Sequence, residues 1–155
     1  MPTKRKNKSL SSEDKKLIEE IIRVDHAGEH GATQIYRGQL AIFKENTEFG
    51  KEIKEMADQE EIHKSTFDEY IVKENVKPTA LFPFWNLAGY ALGLGTALMG
   101  KKAAMACTVA VEEVIGQHYD EQAKELSKRK LKPDLLKTVK KFREDELEPV
   151  SYTHL

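Results

Sequence analysis

Glu60 and His63 stand three residues apart in Asp58-Gln-Glu-Glu-Ile-His63, a spacing that puts an oxygen and a nitrogen donor on one face of a helix. That face reads Ile53, Met56, Glu60, His63, Phe67, Tyr70, so two polar groups interrupt an apolar stripe. The interruption recurs. Ile22, Glu29, Tyr36 and Phe43 share a stripe at sevenfold spacing; Met105, Thr108, Glu112, Ile115 and Tyr119 make another; Leu135, Val139, Phe142 and Glu146 make a third. Each seam carries a carboxylate inward, and none carries a Lys or Arg to neutralise it. Unpaired carboxylates gathered in a core would each cost several kcal/mol. Two divalent cations remove that penalty by making the Glu oxygens and the His nitrogen into ligands. Taken alone, Glu60 with His63 reads as a solvated pair and Glu29 as a surface carboxylate. Recurrence on separate seams favours the metal centre.

Such seams require helices, and strand signals are almost absent. Ser11 or Ser12 ahead of Glu13-Asp14 marks a helix start with acids in the first turn. The pattern predicts a first helix over about 12–46 and a second over about 48–75, stopped ahead of Pro78. Residues 77–84, with two prolines, form the crossover. A third helix occupies part of 85–128, broken around Gly95–Gly100, and a fourth runs from Pro133 or Asp134 to about 148. The expectation is an all-α four-helix bundle with a long crossover, one domain's worth of chain at 155 residues.

Basic and acidic residues number 25 and 26, a balance that argues against a nucleic-acid binder. The single cysteine, Cys107, excludes an internal disulfide framework and a Cys-rich zinc or iron–sulfur site; it reads as a packing residue. The basic start, Met1 to Lys8, runs into polar residues rather than an apolar stretch, so it reads as a solvated tail over 1–10 and not a secretory signal. The run Thr79–Gly100 carries no charge and is long enough to cross a bilayer, yet Pro83, Asn86 and four glycines argue against a lone spanning helix. A buried core segment and a segment touching a membrane interface are the readings left, and Phe82, Phe84, Trp85 and Tyr90, followed by Lys101-Lys102, tilt toward the interface.

Several stretches together resemble the demethoxyubiquinone hydroxylase family of ubiquinone biosynthesis. They are Arg23-Val-Asp-His-Ala-Gly-Glu-His-Gly-Ala32, Asp58 to His63, Pro83 to Gly100, Met105-Ala-Cys-Thr-Val-Ala-Val-Glu-Glu113 and Lys141-Phe-Arg-Glu-Asp-Glu-Leu-Glu148, within about 15–148. The resemblance implies a ferritin-like bundle with two irons, whose ligands fall on Glu29, Glu60, His63, Glu112 and Glu146. It also implies insertion of one oxygen atom of O₂ into a polyprenyl benzoquinol dissolved in a membrane. His118-Tyr119, about two turns beyond Glu112, is similar to a family pair that assists electron and proton delivery; a packed tyrosine is the plainer reading. Asp25, one turn before Glu29, is either a helix-surface carboxylate or a hydrogen-bond partner for a ligating His. The implied setting is the inner membrane, bound peripherally on its cytoplasmic face in a bacterium or its matrix face in a mitochondrion. A homo-oligomer or other ubiquinone-biosynthesis proteins are the implied partners.

The chain departs from the family where a second Glu-x-x-His would end, because Pro149 follows Glu146-Leu-Glu. Residues 149–155 do not resemble the family, and the expectation is a bundle incomplete at its C-terminus, with weakened iron loading at the half-site of Glu146. His154, after a helix break, is a poor substitute. A ferroxidase or iron-binding bundle needs the same ligands without the aromatic, glycine-rich 79–100 stretch. An inactive membrane-associated scaffold is the other alternative.

Overall fold

Ser11 opens the first helix by accepting a hydrogen bond from the Asp14 N–H at 3.1 Å, and Thr47 opens the second by accepting from Gly50 N–H at 3.0 Å. The computed structural model describes residues 9–147, and among these the helices are α1 (Ser12–Leu40), α2 (Glu48–Lys73), α3 (Phe82–Leu98), α4 (Lys101–Arg129) and α5 (Pro133–Leu147), with no strand. The fold is the all-α bundle that the seams predict and the ferritin-like one that the resemblance implies: α1, α2, α4 and α5 enclose the core, and α3 lies in the crossover. The basic start, Met1 to Lys8, and residues 148–155, including His154, fall outside the described residues.

The first helix is shorter than its periodicity suggests, ending at Leu40 instead of near 46. Residues 41–47 turn back onto the first turn of α2, where a Cβ on Gly50 would stand 1.8 Å from the Lys44 carbonyl oxygen. Tertiary contact therefore ends a helix that local sequence would extend. A second, smaller difference lies at the start of α3. Phe82 and Pro83, expected in a crossover loop, begin α3, for proline suits the first turn of a helix. Met99 and Gly100 divide α3 from α4, and Gly100 has φ +111°, a conformation that L side chains rarely adopt. Asn75 and Lys130, at φ 53°, end α2 and α4 with bonds from Val76 N–H to the Ile71 carbonyl and from Leu131 N–H to the Leu126 carbonyl.

One hydrophobic cluster joins Ile18, Ile21 and Ile22 of α1 to Phe67 and Tyr70 of α2, Tyr119 and Leu126 of α4, and Leu135, Val139 and Phe142 of α5. A smaller one, Tyr36, Phe49, Ile53 and Ala104, lies toward the other end. The polar site sits between the two. Against the outside of α1, α3 packs backbone to backbone: a Cβ on Gly93 would meet the Ile35 carbonyl oxygen at 1.9 Å, and one on Gly89 the Gly31 carbonyl oxygen at 2.7 Å. The glycines that would weaken a lone helix are what let these two approach.

Gly93→Ala is therefore expected to destabilise the protein by about 2 kcal/mol or more, since carbonyl backbone cannot step aside. Gly95, exposed and with nothing near its virtual Cβ, supplies the contrast: Gly95→Ala should be neutral or stabilise by up to ~1 kcal/mol. Urea unfolding of both variants checks the pair.

Candidate metal centre

Each of the four bundle helices delivers its interrupting residue to the interior. Glu29 from α1, Glu60 and His63 from α2, Glu112 from α4 and Glu146 from α5 are all buried, none more than 3% exposed. Donor atoms of Glu29, Glu60, His63 and Glu146 lie within 4.8 Å of one another. The His63 Nδ1 is 3.2 Å from Glu146 Oε1, 3.5 Å from Glu60 Oε2 and 3.7 Å from Glu29 Oε2. Glu112 is outside that tight group; its Oε1 accepts a hydrogen bond from the Tyr36 hydroxyl at 2.7 Å.

The chemistry of these atoms fits a cation. Glu29 Oε2, Glu60 Oε2, Glu112 Oε2, both oxygens of Glu146 and the His63 Nδ1 are buried without a hydrogen-bond partner. Buried carboxylate oxygens are normally satisfied, so lone pairs left unmatched on several helices point to an acceptor of electron pairs between them. The second nitrogen of His63 supports this. Its Nε2 lies 3.1 Å from Asp145 Oδ2, an arrangement that holds the proton on Nε2 and leaves Nδ1 facing the carboxylates. Phe142 stacks on the same imidazole, ring centroids 3.9 Å apart, and fixes its plane.

Without a metal, protons must take up the charge. Burial and the neighbouring Glu29 push the Glu60 carboxyl far above its ordinary value, while Glu29 stays ionised against the cost of its burial through Glu60, His63 and Tyr119. Burial carries Glu112 up to about 7, and burial with the nearby Glu29 raises Glu146. Burial alone would lower His63, but the carboxylates of Glu146, Glu29 and Glu60 lift it to about 12.

Of the pair His118-Tyr119, only Tyr119 faces the buried carboxylates. It is buried, and its hydroxyl donates to Glu29 Oε1. His118 is exposed: about 100° further round α4 than Tyr119, it falls outside the buried stripe. Asp25 is no surface residue: it is 5% exposed and accepts from the Gln122 amide at 2.7 Å, with no His as its partner among the described residues. Burial pushes its carboxyl well above the ordinary range. Sequence reading gave no such roles to Tyr36, Gln122 or Asp145. Tyr36 was visible on the α1 seam, while the pairing of Asp145 with His63 crosses two helices and leaves no local mark.

Beside the centre lies a pocket of about 650 Å³ between α1, α3 and α4. Gly28, Gly31 and Ile35 of α1, Trp85 and Leu92 of α3, and Val111 of α4 are among its almost wholly apolar walls, with Arg23 and Thr79 as polar members. Gly28 adjoins Glu29 and Val111 adjoins Glu112 in the chain, so pocket and centre share two helices.

The model of the family described as ubiquinone biosynthesis protein COQ7 matches residues 16–152. The chain belongs to this family. Similar members include proteins named NADPH-dependent 3-demethoxyubiquinone 3-hydroxylase, mitochondrial, from Dictyostelium discoideum, 55% identical over 86% of this chain and 62% of that protein, and from Bos taurus, 49% identical over 90% and 65%. A 3-demethoxyubiquinol 3-hydroxylase of Rhodospirillum rubrum is 48% identical over 85% of the chain and 61% of its own length. The chain thus spans less than two thirds of the length of these COQ7-family relatives.

Two outcomes follow for the centre. The folded, metal-free chain holds protons that the unfolded chain releases: on Glu112 between 4.5 and about 7, and on His63 between 6.5 and about 12. Both contributions favour the fold at low pH and fade as pH rises. Metal-free Tm should therefore fall between about pH 5 and pH 8, and Glu112→Gln should flatten the acidic half of that slope, worth roughly 2–3 kcal/mol; calorimetry across pH reads both. Asp145→Asn should weaken Fe²⁺ or Mn²⁺ affinity about 10–100-fold with the fold intact, measured by titration against a competing chelator.

Proposed function

We propose that this chain is the catalytic bundle of a di-iron monooxygenase that hydroxylates a polyprenyl methoxy-methyl-benzoquinol in ubiquinone biosynthesis. The observation that carries this reading is the group of buried, unpartnered donor atoms beside an apolar pocket. Glu29, Glu60, His63, Glu112 and Glu146 would hold iron, and that iron would supply the redox chemistry that splits O₂. The overall change replaces a ring C–H by C–OH and reduces the second oxygen atom to water, with two electrons and two protons. The names of the Dictyostelium and bovine relatives point to NADPH as the electron source.

The protein's own residues do the rest. Apolar walls take the methylated ring and part of its isoprenoid tail and exclude water from the centre. Tyr36 and Tyr119, buried and hydrogen-bonded to Glu112 and Glu29, hold those carboxylates in place and keep protons next to them. A ferroxidase would need the carboxylates but has no use for such a pocket.

Access comes from a membrane surface in this reading. Among the described residues no helix is long and apolar enough to cross a membrane. Phe84, Trp85, Leu87, Leu98 and Met99 are exposed on and just after α3, whose inner face walls the pocket. Aromatic and leucine side chains presented this way suit a helix lying in the headgroup region. The relatives named as mitochondrial and the bacterial one agree with an inner-membrane setting, peripheral on the matrix or cytoplasmic side.

With Fe²⁺, O₂, a reductant and a short-chain demethoxyubiquinol, the chain should form the hydroxylated quinol carrying label from ¹⁸O₂, read by mass spectrometry, at a rate held down by Pro149 standing where the second Glu-x-x-His would end. Glu60→Gln should lose product and metal together. Gly28→Leu, whose side chain enters open space in the pocket, should cut kcat/KM by about an order of magnitude with Tm unchanged. Fe²⁺ oxidation without quinol product would instead identify a ferroxidase. Trp85 is the sole tryptophan, so its emission should shift to the blue on anionic vesicles, and Leu87→Glu should suppress the shift.

A further inference from the structure

Outside the carboxylate centre, two imidazoles and a carboxylate converge where α1 faces α2. His26 and His30, one helical turn apart, both aim Nε2 at the same atom, Asp68 Oδ1, at 3.0 and 2.6 Å. The three donor atoms lie within 4.8 Å of one another. We propose that His26, His30 and Asp68 form a second metal site that takes one divalent late first-row cation of the zinc type, with water completing its coordination.

The donor set selects the ion. Two imidazole nitrogens and one carboxylate oxygen suit first-row transition ions such as Zn²⁺, Co²⁺, Ni²⁺ or Fe²⁺ and are a poor match to Mg²⁺ or Ca²⁺, which prefer all-oxygen shells. Neighbouring ligands of a tetrahedral zinc stand about 3.3 Å apart, given bonds of about 2.0–2.1 Å. The observed separations from Asp68 need only open slightly to admit the ion. Burial, with His30 alongside, lowers the His26 pKa and so favours the neutral ring that ligation requires. The Asp68 side chain is 45% exposed, which leaves a route for the ion and room for water. Phe82 closes the other side, stacked on His26 at 5.1 Å between ring centroids and edge-on to His30 at 4.7 Å.

The site is separate from the carboxylate centre. His26 and His30 lie roughly 80° around α1 from Glu29, as 100° per residue dictates. A cation there joins α1 to α2 and seats Phe82, the first residue of the helix that walls the apolar pocket. Its role is therefore to clamp the pocket's frame, independent of whether the quinol reading holds.

Co²⁺ titration of the metal-free full chain, followed by visible absorption, tests this. Wild type should bind one equivalent more than Asp68→Asn or His30→Gln, with the spectrum of a four-coordinate ion, and that equivalent should persist in Glu60→Gln. Zn²⁺ should displace it and raise the Tm of wild type and Glu60→Gln but leave Asp68→Asn unchanged apart from any effect of the carboxylate centre. Asp68 is half-exposed, so its variant retains the fold and decides the matter should His30→Gln lose helical signal. Equal stoichiometry and spectrum in wild type and Asp68→Asn would overturn the proposal, as would loss of the four-coordinate spectrum in Glu60→Gln alone.

Discussion

Electrostatic repulsion among buried carboxylates is the constraint around which the bundle is organised. Glu29, Glu60, Glu112 and Glu146 occupy positions that would stabilise the protein if they were leucines. Retained protons and the His63 imidazole offset part of the repulsion, but protons leave several oxygen lone pairs unmatched. A cation matches them. A centre of this kind would exchange stability of the empty fold for affinity toward metal, and the hydrophobic clusters on either side hold the helices together across it.

Helix α1 carries two tasks on different faces. Its seam brings Glu29 and Tyr36 inward, while Gly31, Ile35 and Gly38 receive α3 at backbone distance. Small residues there do more than permit packing. Gly28 and Gly31, with nothing near a virtual Cβ, leave open space on the wall of the apolar pocket. One stretch of sequence therefore positions a carboxylate and shapes the cavity next to it. That coupling explains why glycine is dense in a segment whose helix propensity it lowers.

The inward seams were legible because helical periodicity is a local property. Glu29, Glu60, His63, Glu112 and Glu146 are buried as their spacing predicts. The error at the end of α1 arose where chain reversal against Gly50 outweighed propensity. The crossover and the break near Gly100 fall where the pattern puts them, and only the start of α3 moves, from 85 to Phe82, where the two imidazoles of α1 give that ring something to pack on. His118 shows the limit of reading motifs without geometry, since it is adjacent to Tyr119 in the chain and turned away from it in space.

By itself, the order of residues determined the helical class, the stripe on which each acid lies and the need for something to neutralise them. These depend on 3.6-residue periodicity and on the cost of buried charge, both of which act within a helix or on composition. Only the tertiary structure decided that His63 presents Nδ1 because Asp145 engages Nε2, that Tyr36 and Tyr119 hold Glu112 and Glu29, and that His26 and His30 meet Asp68. Those pairings join residues tens of positions apart, and their distances are set by how helices cross, which no local pattern encodes.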